Sequence, residues 1–306
     1  AGSTMYVTLE PCCHKGKTGP CTDVIIKAKI GKVVVAIADP FTQVSGKGIQ
    51  QLRNAGIEVE VGLCAEQAAQ LNAPFIKHAQ TGRSWVILKW AQSTDGKMAW
   101  TDKSKQRWIS NEQSREDVHK FRRRVQAILV GINTVIDDDP LLTARPGKPT
   151  PLTRIVLDSH LRIPLKSQLL QTALKSPVII ATSNHAVEKN KDMAKAIEQK
   201  GAELLIVPLK NNSLDLQYLI QQLGGRDIAQ LLVEGGPTVL SSFLKAKLAD
   251  EVIVYISDET LGQKGSIEIT PQMRQFTKDI SPDNTETKHF GNNIRISQII
   301  NNNNSS

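Results

Sequence analysis

Short apolar runs rich in valine, isoleucine and leucine recur along nearly the whole chain, separated by segments with helical spacing. A strand lying parallel to its neighbour needs a long crossover, and a helix is the usual one. The alternation restricts the chain to layered α/β folds and speaks against a helical bundle or a β-sandwich. Met5 to Leu9, Val33 to Ala38 and Gly56 to Val61 read as strands, and Cys21 to Lys29, Gly48 to Ala55 and Glu66 to Gln80 as helices. Thr81-Gly82-Arg83 interrupts the pattern, which then restarts. Strand-like runs follow at Trp85 to Trp90, Ala127 to Gly131, Arg154 to Asp158, Pro177 to Thr182, Leu204 to Val207, Gln230 to Glu234 and Glu251 to Ile256. The helical segments among them are Ser114 to Val125, Lys189 to Lys200, Leu216 to Leu223 and Pro237 to Lys245. For 306 residues this predicts two domains, 1–81 and 82–300, the second a mostly parallel sheet with helices on both faces. The asparagine-rich residues 301–306 read as a disordered tail.

No run approaches the roughly 20 apolar residues of a membrane span. The opening residues lack the layout of a signal peptide, so the cytoplasm is the expected location. A net charge of +8 suits either nucleic acid or small anionic substrates. Lysine and arginine are spread along the chain and aromatic residues make up only 4%, poor material for base stacking. A small anionic substrate is therefore expected, with neither nucleic acid nor membrane as a partner. A Rossmann G-x-G-x-x-G turn is absent, so a nicotinamide cofactor would need another scaffold.

Cys12, Cys13 and Cys21 crowd together, a pattern of metal binding or catalysis more than of bridges. Cys64, ending an apolar segment, is expected to be a small buried hydrophobe. Cys12 follows a strand and Cys21 opens a helix, where backbone amides favour thiolate. Two thiolates can hold zinc if a histidine and a water complete the tetrahedron; a loop with incidental cysteines is the other reading. The run Thr8-Leu9-Glu10-Pro11-Cys12, with His14, Gly16, Thr18 and Pro20-Cys21, resembles the deaminase domain of the bifunctional riboflavin-biosynthesis deaminase–reductase family, whose fold is cytidine-deaminase-like. The resemblance implies Cys12 and Cys21 as zinc ligands and His14 in a substrate pocket. The family's His-x-Glu does not occur ahead of Cys12. The zinc site is therefore expected to be incomplete, the domain partial, and the chain itself inactive as a deaminase on 2,5-diamino-6-(5-phosphoribosylamino)pyrimidin-4-one.

Several downstream motifs carry readings of their own. Lys89 interrupts an apolar strand, so it faces either solvent at an edge or a polar ligand. Glu234-Gly235-Gly236-Pro237 ends a strand and opens a helix, where glycine backbone and free amides favour a phosphate; a tight turn without ligand is the alternative. Glu234 falls at the carboxyl end of its strand, where ligands of open α/β sheets sit. Asp137-Asp138-Asp139-Pro140 reads as a turn more than a metal cluster. Arg122 and Arg145 suit phosphate, although Arg122 to Arg124 could equally be a solvated helix face.

In order and spacing, Leu88 to Lys97, Trp108-Ile109-Ser110, Val130 to Val135, Asp137 to Arg145, Arg154 to Ser159 and Val233 to Thr238 resemble the reductase domain of the same family, similar to dihydrofolate reductase in its α/β fold. That resemblance implies NADPH as cofactor and a phosphoribosyl pyrimidine as substrate. Gly236, Pro237, Thr238, Val239, Leu240, Ser241 and Ser242 would cradle the cofactor pyrophosphate, and Ala91, Trp108, Thr134, Asp138 and Ser159 would border it. Gln106, Arg122, Leu142, Arg145 and Glu234 would contact substrate, with Lys89 and Glu234 as catalytic support. Thr182 and Ser183 are candidates for the adenosine 2′-phosphate. The expected reaction is NADPH-dependent reduction of the ribose of 5-amino-6-(5-phosphoribosylamino)uracil. The alternatives are a nucleotide deaminase, a dihydrofolate reductase, and a catalytically silent NADPH-binding or regulatory remnant. A second copy could cover an open edge of the partial sheet, making a homo-oligomer.

Overall fold

The structure is a computed structural model and describes residues 1–16, 19–41, 45–102, 108–145, 152–279 and 285–300. Gln106 and the tail at 301–306 lie outside the described residues. The chain divides into two compact units, Ala1–Arg83 and Ser84–Ser306. No helix among the described residues is long and apolar enough to cross a membrane.

The first unit runs β1 (Thr4–Leu9), α1 (Cys21–Lys27), β2 (Lys32–Ile37), α2 (Lys47–Asn54), β3 (Glu58–Val61), α3 (Ala65–Leu71) and α4 (Ala73–Thr81). Its strands form a parallel sheet in the order β1-β2-β3. Val33 and Val35 of β2 pack with Ile25, Ile49, Leu52 and Ile57 to make the core. Just beyond β1, the buried Glu10 turns its carboxylate onto four backbone N–H groups: Asp39 at 3.0 Å, Gly46 at 2.9 Å, Gly48 at 2.8 Å and Ile49 at 3.1 Å. Gly46 caps α2 with no side chain of its own, so Glu10 supplies from a distance the anion that the amides at this helix start require.

The helix expected over Glu66 to Gln80 is two helices, broken at Asn72 with Pro74 in the first turn of α4. Proline is accommodated there, whereas inside a continuous helix it would clash with the preceding turn. Cys64 is exposed, not buried: it holds a left-handed conformation (φ 55°) ahead of α3, which turns the thiol away from the core.

The second unit begins with β4 (Trp85–Gln92), β5 (Lys97–Trp100), α5 (Glu112–Arg124), β6 (Ala127–Gly131), α6 (Ile132–Asp138), β7 (Thr153–Leu157), α7 (Gln168–Gln171) and β8 (Val178–Thr182). It continues through α8 (Asn184–Lys189), α9 (Lys191–Gln199), β9 (Glu203–Ile206), β10 (Leu209–Lys210), β11 (Ser213–Leu214), α10 (Leu216–Gly224), β12 (Gln230–Val233) and α11 (Pro237–Lys245). It closes with β13 (Glu251–Ser257), β14 (Gly265–Glu268), α12 (Pro271–Lys278), β15 (Thr285–Phe290) and β16 (Asn293–Ile299). Among the described residues the main sheet has nine strands in the order β15-β16-β13-β4-β12-β6-β7-β8-β9. The stretch from β13 to β9 is parallel; β16 and β15 add antiparallel.

Val86, Leu88 and Trp90 of β4 enter a core with Leu219 and Leu223 of α10, Leu240 and Phe243 of α11 and Met273 of α12. Side chains alternate along a strand, so Lys89 faces the other way, toward the layer containing α5. The helix expected over Lys189 to Lys200 is α9, and a short helix that the sequence did not announce, α8, ends just ahead of it at Lys189. The aspartate run is helical through Asp138; only Asp139, left-handed ahead of Pro140, makes the turn, because a residue before proline avoids the helical region.

Candidate active site

Lys89 sits in the interior of the sheet, paired through β4 with both β12 and β13. Glu234 follows β12 directly, its N–H donating to the carbonyl of Leu129 at 2.9 Å. Arg122, near the end of α5, grips the Glu234 carboxylate with both arms, Nε to Oε1 at 3.1 Å and Nη2 to Oε2 at 2.7 Å. Its Nη1 donates to the carbonyl of Thr143 at 3.1 Å. Lys89 Nζ stands 3.7 Å from the same Oε2, with the Lys89 and Glu234 side chains 16% and 9% exposed.

Burial alone would push the Glu234 carboxyl up, but the charges of Arg122 and Lys89 and the Arg122 hydrogen bonds outweigh it and hold it at about 2. For Lys89, burial and then the nearby Arg122 charge win over Glu234, so its ammonium titrates below the ordinary lysine value. His119, also on α5, is pulled down by burial and by Arg122 and Arg145; its Nδ1 accepts the N–H of Arg145 at 3.2 Å.

Lys89 and Glu234 lie in the wall of a cavity of about 550 Å³. Ala91, Trp108, Thr134, Asp138, Gly236, Pro237, Thr238 and Val239 line it too, so most of the expected cofactor set converges here. Ser159 and Ser242 line a second cavity of about 550 Å³, which shares Leu157, Thr238 and Val239 with the first. The wall common to both is the start of α11, whose Gly236 N-cap offers no side-chain hydrogen bond, leaving the first amides free for an anion. A Cβ on Gly235 would meet Val239 Cβ at 2.8 Å, and one on Gly131 would meet Val239 Cγ2 at 2.8 Å. The two glycines thus let the helix start sit close against the ends of β6 and β12. A Cβ on Gly236 would meet nothing within 4 Å and would project into open space.

Other expected contacts are placed differently. Leu240 and Ser241 are buried, Leu240 in the core and Ser241 hydrogen-bonded to the Thr270 hydroxyl, because this turn of α11 packs onto the core and the start of α12. Leu142 is buried in a left-handed conformation and Arg145 is exposed; neither lines the cavity. The paired donors of Arg122 are taken by Glu234, so it acts first as that carboxylate's clamp. Thr182 is fully buried, and Ser183 caps α8 through the N–H of Ala186 while its hydroxyl donates to the carbonyl of Ser159. Sequence reasoning missed Asn133 and Arg162, paired with each other at 3.1 Å on the cavity wall, and the lysines Lys210 and Lys245 beside the second cavity.

In the first unit, Cys12, Cys21 and His14 border a cavity of about 760 Å³, with the N–H of Cys21 donating to Cys12 Sγ at 3.4 Å. Hydrogen bonding to Cys12 and burial raise the Cys21 thiol above its ordinary value. No group of three or more histidine, cysteine, aspartate or glutamate side chains able to hold a metal occurs among the described residues. Two thiols alone leave a tetrahedral zinc ion short of ligands, so these residues do not by themselves fit a zinc centre.

The family pattern described as "RibD C-terminal domain" matches residues 84–295. Riboflavin biosynthesis protein RibD of Aquifex aeolicus is 44% identical over 268 residues, covering 87% of this chain and 72% of that protein. The chain belongs to the RibD family. The Escherichia coli RibD is 38% identical over 266 residues, covering 85% of this chain and 72% of that protein. Acinetobacter baumannii RibD superposes with a TM-score of 0.77 at 32% identity, covering 97% of this chain and 80% of that one. A Thermotoga maritima diaminohydroxyphosphoribosylaminopyrimidine deaminase/5-amino-6-(5-phosphoribosylamino)uracil reductase gives 0.75 at 30%, covering 97% and 79%. The RibD family serves riboflavin biosynthesis and joins a deaminase to a reductase. In this chain the reductase half carries the long match, while the "Cytidine and deoxycytidylate deaminase zinc-binding region" matches only residues 1–37.

Proposed function

We infer that the second unit binds NADPH and reduces the ribose of 5-amino-6-(5-phosphoribosylamino)uracil, opening the sugar to a ribityl chain. The observation that carries this is a buried lysine–carboxylate–arginine cluster in the wall of a cavity whose other wall is an uncapped helix start. Bound NADPH would supply the hydride for C1′; breaking the C1′–O4′ bond then requires a proton for O4′, which the chain must provide. The chain's residues hold and orient; the hydride chemistry belongs to the cofactor. Glu234, held at about 2, is an anion at neutral pH and can accept a hydrogen bond from a sugar hydroxyl but has no proton to give. Lys89 carries the transferable proton and stands beside it. The amides of Thr238 and Val239 suit the cofactor pyrophosphate. Turnover is followed as loss of NADPH absorbance with this substrate; binding without oxidation would favour the silent remnant instead.

Within this reading the second cavity takes the adenosine half, and Lys210 and Lys245 are the cations beside it that suit a 2′-phosphate. Replacing both with alanine should raise the KM for NADPH about tenfold and leave that for NADH unchanged. An equal change for both cofactors would remove the assignment.

The glycines at the helix start separate packing from binding. Gly235→Ala forces a Cβ against the stiff Val239, at a cost of about 1–3 kcal/mol, so the melting temperature and NADPH affinity should fall together. Gly236→Ala meets nothing within 4 Å among the described residues, so affinity should fall while melting stays near the parent value. Calorimetry and fluorescence titration of both variants test this.

A further inference from the structure

Lys89 is oriented by less than its ion pair suggests. Its Nζ lies 3.7 Å from Glu234 Oε2, beyond hydrogen-bond reach, while Arg122 donates to that same oxygen at 2.7 Å. A four-carbon stem with a compact charge at its tip needs a second surface to hold one rotamer. That surface comes from β13. The parallel register sets Ile253 beside Lys89 and Tyr255 beside Ala91, so the Tyr255 ring lies diagonally across from Lys89 on the same face. Lys89 Nζ is 5.8 Å from the centroid of this ring, within cation–π range.

The ring is itself fixed from behind. Tyr255, 1% exposed, donates its hydroxyl to Asp117 Oδ2 at 2.7 Å. The same oxygen accepts from Arg295 Nη1 at 2.9 Å. Arg295 in turn pairs with Glu286 and lies over the rings of Phe121 at 5.4 Å and Phe290 at 6.0 Å. Burial and then Asp117 push the Tyr255 hydroxyl far above its ordinary value, so it stays a donor at every working pH. A phenol donating into a buried carboxylate has a more electron-rich ring, the direction that strengthens its hold on a cation. Asp117 and Arg122 belong to the same helix, so one element braces the ring and clamps the carboxylate on either side of the lysine.

We propose that Tyr255, braced by Asp117 and Arg295, is a positioning residue for the reduction, its ring holding the Lys89 ammonium in place beside Glu234. This rests on the reading of Lys89 as the proton-bearing group. Among the described residues the charged groups facing Lys89 are Glu234 after β12 and Arg122 on α5, with the Tyr255 ring on β13 and Asp117 and Arg295 behind it. The ring favours the ammonium form, so removing it lowers the pH at which Lys89 loses its proton.

The test uses the full chain with Tyr255→Leu and Tyr255→Phe, measuring kcat, KM, NADPH affinity and the alkaline limb of kcat/KM. Tyr255→Leu should lower kcat about tenfold, with NADPH affinity held, and move the alkaline limb to lower pH. Tyr255→Phe keeps the ring but not its donation to Asp117; kcat should stay within about threefold of the parent and the limb should move less. A limb that stays put in both variants overturns the proposal, as does a Tyr255→Leu whose kcat and NADPH binding fall together without any limb shift. Should the leucine variant not fold, Tyr255→Met, which also removes the ring, takes its place under the same two outcomes. Lys89→Ala run alongside keeps the two readings apart: full turnover in it sinks the role of Lys89, whereas a dead Lys89→Ala beside unmoved Tyr255 variants sinks only the positioning role.

Discussion

Replacing Lys89 with alanine is expected to lower kcat for the reduction at least about a hundredfold while NADPH binds as before. The side chain lies in the cavity wall beside Glu234 and is not among the groups proposed to hold the pyrophosphate. Glu234→Gln should be nearly as damaging, for a different reason. It keeps the shape but leaves Lys89 and Arg122 facing a neutral amide, and two buried cations without a counter-ion favour losing the lysine proton. The alkaline limb of the pH profile should therefore move down in Glu234→Gln. Steady-state rates across pH, with NADPH binding measured separately, check both; parent-like kcat in either variant would remove that residue from the chemistry. The same carboxylate carries a stability signature. A carboxyl depressed in the folded state stabilises fully above its unfolded value near 4.5, and the contribution is lost as pH falls through about 2. Glu234→Gln should flatten that acid end of the stability curve.

The second large effect is expected far from any chemistry. Glu10→Ala would strand the N–H groups of Asp39, Gly46, Gly48 and Ile49, with no other side chain among the described residues capping α2 to receive them. A loss of about 4 kcal/mol or more is the expected scale for several amides deprived of one charged acceptor. Calorimetry should show one of two transitions falling sharply while that of the reductase unit stays in place. Glu10→Gln, which keeps a single acceptor oxygen, should land between the two. An unmoved first transition would mean that water satisfies these amides.

What could be read from the chain and what could not divide along physical lines. The apolar strands β4, β6, β7, β8 and β12 announce themselves because they are buried on both faces. Glu234-Gly235-Gly236-Pro237 is a local feature, and its strand–turn–helix context follows from its own residues. Lys89 posed a question the sequence left open; the structure answers it by placing the residue in a central strand rather than at an edge. The final segment was illegible because β15, Thr-Glu-Thr-Lys-His-Phe, is a largely exposed edge strand without apolar alternation. Asp117, Tyr255 and Arg295 come from three distant segments, so no spacing rule could join them. Helical periodicity ran straight through Asn72, where the helix breaks so that Pro74 falls in the first turn of the next one.

The strand order also sets a timetable. β4 is the first strand of its unit to be made, yet its sheet neighbours are β12 and β13, close to the end of the chain. During synthesis this apolar segment waits unpaired until most of the unit has emerged, a high-contact-order arrangement that folds slowly and exposes the nascent chain to aggregation. Lys89 is the single charge in that strand. The residue assigned to the reaction is thus also the one that keeps the waiting segment from being uniformly apolar, a gatekeeper before it is a reagent. An apolar replacement such as Lys89→Met should therefore reduce the yield of folded protein as well as the rate, and coexpressed chaperone should restore the yield but not the turnover.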